Sequence, residues 1–157
     1  MNTSFDPLRI VNTYGAFGSI TKERTELIYM ASAVDHPSRD EDWFEIEFKC
    51  KPGSVSRRPC LISPYHYRLD WLMWFAAFQS PQQNPWLFSL AKKFLEQDKL
   101  TIDLVETPLL GTKRFKWIKI DHFEYKFGSK TNDWWSRRKL REFVRPVNLK
   151  MLKEYGV

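Results

Sequence analysis

The sequence predicts one α+β domain: an antiparallel β-sheet or sandwich with a two-helix insertion and a further helix at its C-terminal end. Three patterns in the 157 residues point there. Apolar and charged residues alternate with period two through residues 43–50, helical spacing recurs within residues 64–96, and β-branched and aromatic runs flank that block. With 43% hydrophobic and 16% aromatic residues the chain can bury one core, and no repeat or linker divides it, so the domain is expected to span residues 1–157.

The first part reads as β. Leu8–Tyr14 and Arg24–Val34 flank a Gly15-Ala16-Phe17-Gly18 turn region and predict a long hairpin. After the acidic turn His36–Asp42, the run Trp43–Cys50 sets Phe44, Ile46, Phe48 and Cys50 against Glu45, Glu47 and Lys49, which points Cys50 at the core. Lys51-Pro52-Gly53-Ser54 then turns the chain into a basic loop ending at Cys60.

The middle reads as helical. Ser63 as N-cap and Pro64 at the first helical position start a helix expected to reach Ser80, and its nearly continuous apolar surface from Leu69 onward predicts cover on most sides. Asn84-Pro85 repeats the start signal, and Leu87, Leu90, Ala91, Phe94 and Leu95 form one stripe opposite Lys92, Lys93 and Glu96. Thr101–Val105 and Arg114–Phe127 return to β, and a slip of apolar phase in the second predicts a bulge. Thr131-Asn132-Asp133 reads as the cap of a last helix in which Leu140, Phe143, Val144 and Val147 keep helical spacing, although Pro146 should end it near Arg145.

Charge is unevenly placed. The total of +6 divides into −4 over residues 1–50, +2 over 51–110 and +8 over 111–157. A basic end suits nucleic acid, anionic headgroups or an acidic protein surface, and equally suits pairing with the acidic first third. No stretch approaches the roughly 20 apolar residues that span a bilayer, and Met1–Asp6 has no secretory-signal character, so an export signal is expected outside this chain. Asn2-Thr3-Ser4 is an N-glycosylation sequon.

Cys50 and Cys60 have no ligand spacing to His36, His66 or His122, so neither a metal nor a cofactor is expected. The cysteines form either two buried thiols or one short-loop disulfide, which in an oxidising compartment would contribute roughly 3 kcal/mol.

Three constellations invite functional readings. Ser63, His66 and Asp70 stand at i, i+3 and i+7, a spacing reminiscent of hydrolases, yet one helical face does not supply a serine, its base and an oxyanion hole together. Ser63 reads better as a cap and the chain as a non-enzyme. The string Tyr65-His66-Tyr67-Arg68-Leu69-Asp70-Trp71 suits core architecture or a binding surface, with Arg68 and Asp70 anchoring loops. Near the end, Trp134 and Trp135 precede Arg137, Arg138, Lys139 and Arg141; no nucleic-acid motif accompanies them, and a solvated helix face is the expectation, with no nucleic-acid partner.

Asn12-Thr13-Tyr14-Gly15-Ala16-Phe17-Gly18, Phe48-Lys49-Cys50-Lys51-Pro52-Gly53, Arg57-Arg58-Pro59-Cys60 and the long block from Ile62-Ser63-Pro64-Tyr65 to Ala76 follow in an order that resembles the signature blocks of the lipase maturation factors. Trp134-Trp135-x-Arg137 followed by Pro146 fits too. The resemblance implies a C-terminal domain on the lumenal side of an endoplasmic-reticulum membrane protein, where it helps secreted homodimeric lipases, such as lipoprotein lipase, reach their active fold. It marks Tyr14, Arg57, Arg58, Tyr65, His66, Tyr67, Arg68, Asp70, Trp71, Trp134, Trp135 and Arg137 as candidate structural or client-binding positions. In that lumen a Cys50–Cys60 disulfide is expected. The competing class is an accessory domain that stabilises an attached membrane portion.

Overall fold

The computed structural model describes residues 23–61, 66–107, 109–128 and 133–156. The expected first strand with Tyr14, the Asn2 sequon, Tyr65, the Ser63-Pro64 start signal and the Thr131-Asn132 cap lie outside the described residues.

Four antiparallel strands form one sheet in the order β2-β1-β3-β4. They are β1 (Arg24–Ser32), β2 (Phe44–Ile46), β3 (Trp117–Phe127) and β4 (Trp135–Val147). Between β2 and β3 lie α1 (Arg68–Ala76), α2 (Trp86–Leu95) and the single-turn helices α3 (Lys99–Ile102) and α4 (Leu109–Thr112), while α5 (Leu149–Glu154) follows β4. The α+β class is as expected, with an antiparallel sheet interrupted by helices.

Alternation along β1 gives the sheet two different faces. Leu27, Tyr29 and Ala31 enter the main core with Ile118 and Ile120 of β3 and the stripe Leu87, Leu90, Ala91, Phe94 and Leu95 of α2, all buried as their spacing requires. Fully buried Tyr29 meets Phe94 edge to face at 5.6 Å, and its hydroxyl donates to the Leu87 carbonyl at 2.8 Å. On the opposite face Ile28 packs with Tyr125 and Trp135 against Val55. The loop that leaves β2 therefore folds back over the sheet, which is covered by helices on one face and by this loop on the other.

Several elements differ from the sequence reading. The strand expected over Trp43–Cys50 is regular only to Ile46; beyond it the Glu47 amide donates to Thr107 Oγ1 at 2.7 Å and Phe48 bridges Val105. Residues 101–105 are not a strand: Asp98 accepts from the Thr101 amide at 3.0 Å and caps α3, and only Val105 pairs. The described part of the first helix ends at Ala76, and it is not covered on most sides, because its buried residues are Asp70, Met73 and Ala76 alone.

The helix expected over residues 131–145 is instead β4. Helical spacing of Leu140, Phe143, Val144 and Val147 misled because β3 and β4 change register between Ile118 and Ile120, between Ile120 and Asp121, and between His122 and Phe123. A bulged strand moves its apolar phase and imitates a helix over one turn. The same irregularities account for the phase slip read in β3. A C-terminal helix does exist, further on, where Asn148 accepts from the Met151 amide at 2.9 Å and caps α5.

Candidate binding groove beside the disulfide loop

Tyr67, Asp70, Trp71 and Trp74 stand at i, i+3, i+4 and i+7, so the start of α1 carries all four on one face. Across from them lie Arg24 at the head of β1 and the Cys50-Lys51 segment, and the space between is a groove of about 340 Å³. Trp71 stacks on Phe75 at 5.5 Å with the planes 12° apart, and Trp74 meets Phe78 edge to face at 5.1 Å. Trp71, Trp74 and Phe75 are half-buried and Phe78 is 44% exposed, so this aromatic ladder is only partly covered.

Asp70 joins the helix to the loop. Its Oδ2 accepts from the Cys50 amide at 2.6 Å while its side chain is almost wholly buried, and burial raises its carboxyl above the ordinary range despite that bond. Its Oδ1 has no hydrogen-bond partner. Cys50 is bonded to Cys60 with their Cα atoms 5.5 Å apart, as expected for an oxidising compartment. Cys50 is half-buried at the groove and does not enter the core.

Arg57 holds the loop from within. Its guanidinium donates to the Phe48 carbonyl at 2.5 Å and to the Lys49 carbonyl, and it pairs with Glu106. Only a planar fork with several donors can serve these groups at once. The Arg57 carbonyl in turn accepts from the Trp135 indole at 2.8 Å, and the Val55 carbonyl accepts from the Trp135 amide at 3.0 Å. Arg58 lies over the Trp134 ring at 5.6 Å.

Beneath the loop runs a set of charges of which the sequence reading singled out Arg137 as a candidate but not Arg24 or Glu26. Fully buried Glu26 takes Arg24 at 2.8 Å and Lys51 at 3.4 Å, and Lys51 also donates to the Pro52 carbonyl at 3.2 Å. Burial pulls the Lys51 ammonium below its usual range, against the attraction of Glu26. Arg137 reaches Glu45 at 2.7 Å, the Gly53 carbonyl at 3.1 Å and the Tyr125 hydroxyl at 3.2 Å. Tyr125 donates to that same Gly53 carbonyl at 2.7 Å, and burial pushes its phenol up to about 12. A signal was present for Glu26: an acid inside a β-run needs a cation once the sheet is covered on both faces.

The structure brings together His66, Tyr67, Asp70 and Trp71 at the groove and places Arg57, Arg58, Trp134, Trp135 and Arg137 around the loop behind it. Arg68 is exposed to solvent. His66 lies 6.5 Å from the Trp71 ring, and the Asp70 carboxylate, the acid of the hydrolase-like spacing, is engaged by the Cys50 amide. Among the described residues no group of His, Cys, Asp and Glu could hold a metal ion, and no helix is long and apolar enough to cross a membrane.

Fold and groove together define an α+β domain that presents aromatic side chains beside a loop pinned by a disulfide, an arginine fork and a buried acid. Residues 10–145 match the lipase maturation factor C-terminal domain, and the chain belongs to the lipase maturation factor family. It is 51% identical to lipase maturation factor 1 of Mus musculus, and 48% identical to that of Homo sapiens, over 99% of its own length in each case. Against lipase maturation factor 2 of Homo sapiens it is 31% identical over 96% of its length. It covers 28%, 29% and 22% of these relatives, so it spans less than a third of each. No solved structure matches the chain.

Proposed function

We propose that this chain is a lumenal folding module that engages secreted homodimeric lipases, such as lipoprotein lipase, in the endoplasmic reticulum without catalysing a reaction on them. The observation that carries this reading is the partly covered aromatic ladder of α1 and the turn after it, Trp71, Trp74, Phe75 and Phe78, on a domain whose family is named for lipase maturation. A rigid surface rich in Trp, Tyr and Phe binds other proteins at low entropic cost, and the pinned loop gives the groove its rigidity. The disulfide agrees with an oxidising lumen. Against a nucleic-acid partner stands the use of the basic strand: Arg137 pairs with Glu45, Arg138 with Glu124 and Lys139 with Asp121, so these cations are largely engaged within the protein.

The test is co-expression of a homodimeric lipase with the family protein carrying this domain, intact or as the Trp71→Ala/Trp74→Ala double variant, in cells lacking their own factor. Loss of secreted lipase activity, with the variant present at normal abundance, is the expected result. Undiminished activity would remove the groove from client folding. A drop in the abundance of the membrane protein alone would favour the accessory-domain reading.

A further inference from the structure

The groove between α1 and the disulfide loop combines three properties that together select a ligand class. Its α1 side is formed by the flat aromatic rings of Tyr67, Trp71 and Trp74. Phe75 holds the Trp71 indole by near-parallel stacking, so this surface is fixed before any ligand arrives. Also lining the groove is Asp70, almost wholly buried, whose Oδ2 is held by the Cys50 amide and whose Oδ1 has no hydrogen-bond partner. A buried acceptor left unmatched is unfavourable, and a ligand that brings a donor relieves it.

Charge decides what kind of donor. Arg24 and Lys51 line the same groove as Asp70, Glu26 lies buried between the two cations at 2.8 Å and 3.4 Å, and Lys49 stands over the Tyr67 ring at 5.6 Å, so three cations face two acids and the excess is a single positive charge. A cationic ligand reaching Asp70 would meet Arg24 and Lys51, and an anionic one would meet Asp70 itself. A neutral molecule with hydroxyls on its rim and an apolar C–H face meets neither penalty: a hydroxyl donates to Asp70, another accepts from Arg24, and the C–H face lies on an indole. Resting on the client-binding role above, we propose that this groove binds a neutral hexopyranose ring, bare or N-acetylated, as a unit of a client glycan. At about 340 Å³ the groove falls at the small end of ligand sites, roughly 300–1,000 Å³, which suits a short saccharide better than a peptide strand.

Saturation-transfer NMR on the 157-residue chain tests this directly, with methyl α-mannoside and N,N′-diacetylchitobiose as probes and the N-acetyl amides of lysine, glutamate and phenylalanine as competitors. Transfer to sugar ring C–H protons is expected, with Trp74→Ala and Tyr67→Ala each weakening binding about tenfold while Leu100→Ala, on α3 and 79% exposed, leaves it unchanged. Melting temperatures of the variants show whether each remains folded. No transfer from either sugar, or preferential binding of a charged or phenylalanine amide, would overturn the proposal. A homodimeric lipase stripped of its N-glycans separates the two readings. Equal capture of stripped and intact lipase overturns the sugar site and leaves the client role standing, whereas capture of neither removes both.

Discussion

Asp70, in the first turn of α1, accepts the Cys50 backbone amide at 2.6 Å, so the helix that carries the aromatic groove and the disulfide that opens the loop are joined through one carboxylate. The bond fixes position at a cost, since burial raises this carboxyl and leaves Oδ1 unmatched. Asp70→Ala strands the Cys50 amide and is expected to destabilise by about 2 kcal/mol. Asp70→Asn keeps an acceptor for that amide and removes the buried charge, so its loss should be smaller. Exposed Lys93, paired only distantly with Asp98 at 3.9 Å, should change stability by a few tenths of a kcal/mol or less when replaced by alanine. Chemical denaturation of the three variants checks the order; equal losses would place the Asp70 side chain outside the network.

Arg57 and Arg138 make the contrast between a cation that organises backbone and one that decorates a surface. Arg57 serves two carbonyls and Glu106 from a side chain 18% exposed, while Arg138 pairs with Glu124 from one 74% exposed. Arg57→Lys loses the planar fork and is expected to cost about 2 kcal/mol, although charge is kept. Arg138→Ala should stay within about 0.5 kcal/mol. Similar midpoints in urea for both variants would refute the assignment of Arg57 as the loop's internal clamp.

Cys50 and Cys60 close a loop with a sequence separation of 10. Restricting the unfolded chain over so short a loop should contribute roughly 3 kcal/mol, with native geometry deciding how much is realised. Cys60→Ser should lower the melting temperature and loosen the groove ahead of the main core, because Tyr29, Phe94 and Leu87 pack on the other face of the sheet. Denatured, unreduced protein from an oxidising compartment should show no titratable thiol; two free thiols would remove the bond from the native protein.

How far the sequence carried depended on whether an element's pattern was local. The stripe of α2 and the alternation around Phe44 and Ile46 repeat with one period and were read correctly. Strand β4 failed because its buried residues, Trp135 at one end and Phe143, Val144 and Val147 at the other, are separated by seven exposed positions and by changes of register against β3. Only the long partner strand supplies a reason for that segment to be extended, and pairing across the sheet leaves no periodic trace. Within the groove, Tyr67, Asp70 and Trp71 were legible as a dense polar and aromatic string. Arg24, Glu26 and Lys51 were not, because they come together only when the disulfide loop folds over the sheet.

His122 offers a prediction in which pH supplies the readout. It lies in β3 opposite Arg141, is buried, and packs edge to face on Phe143 at 5.9 Å, with neither ring nitrogen hydrogen-bonded. Burial lowers its tendency to take a proton and the nearby Arg141 lowers it further. The unfolded chain binds that proton near the ordinary value of about 6.5, whereas the folded protein resists it until lower pH. Stability assigned to neutral His122 is therefore fully present above that value and declines as pH falls below it, because the unfolded state then binds more protons than the native one. His122→Phe keeps an aromatic ring against Phe143 and removes the titration. Melting temperatures of the wild type and His122→Phe should differ by a constant amount above neutral pH and diverge below about 6.5, with the wild type losing more. Asp70 works in the opposite sense, since its raised carboxyl favours the folded state as pH falls, and comparing the two chains cancels that contribution. A difference that stays constant down to mild acid would show that the His122 ring is already solvated in the native protein.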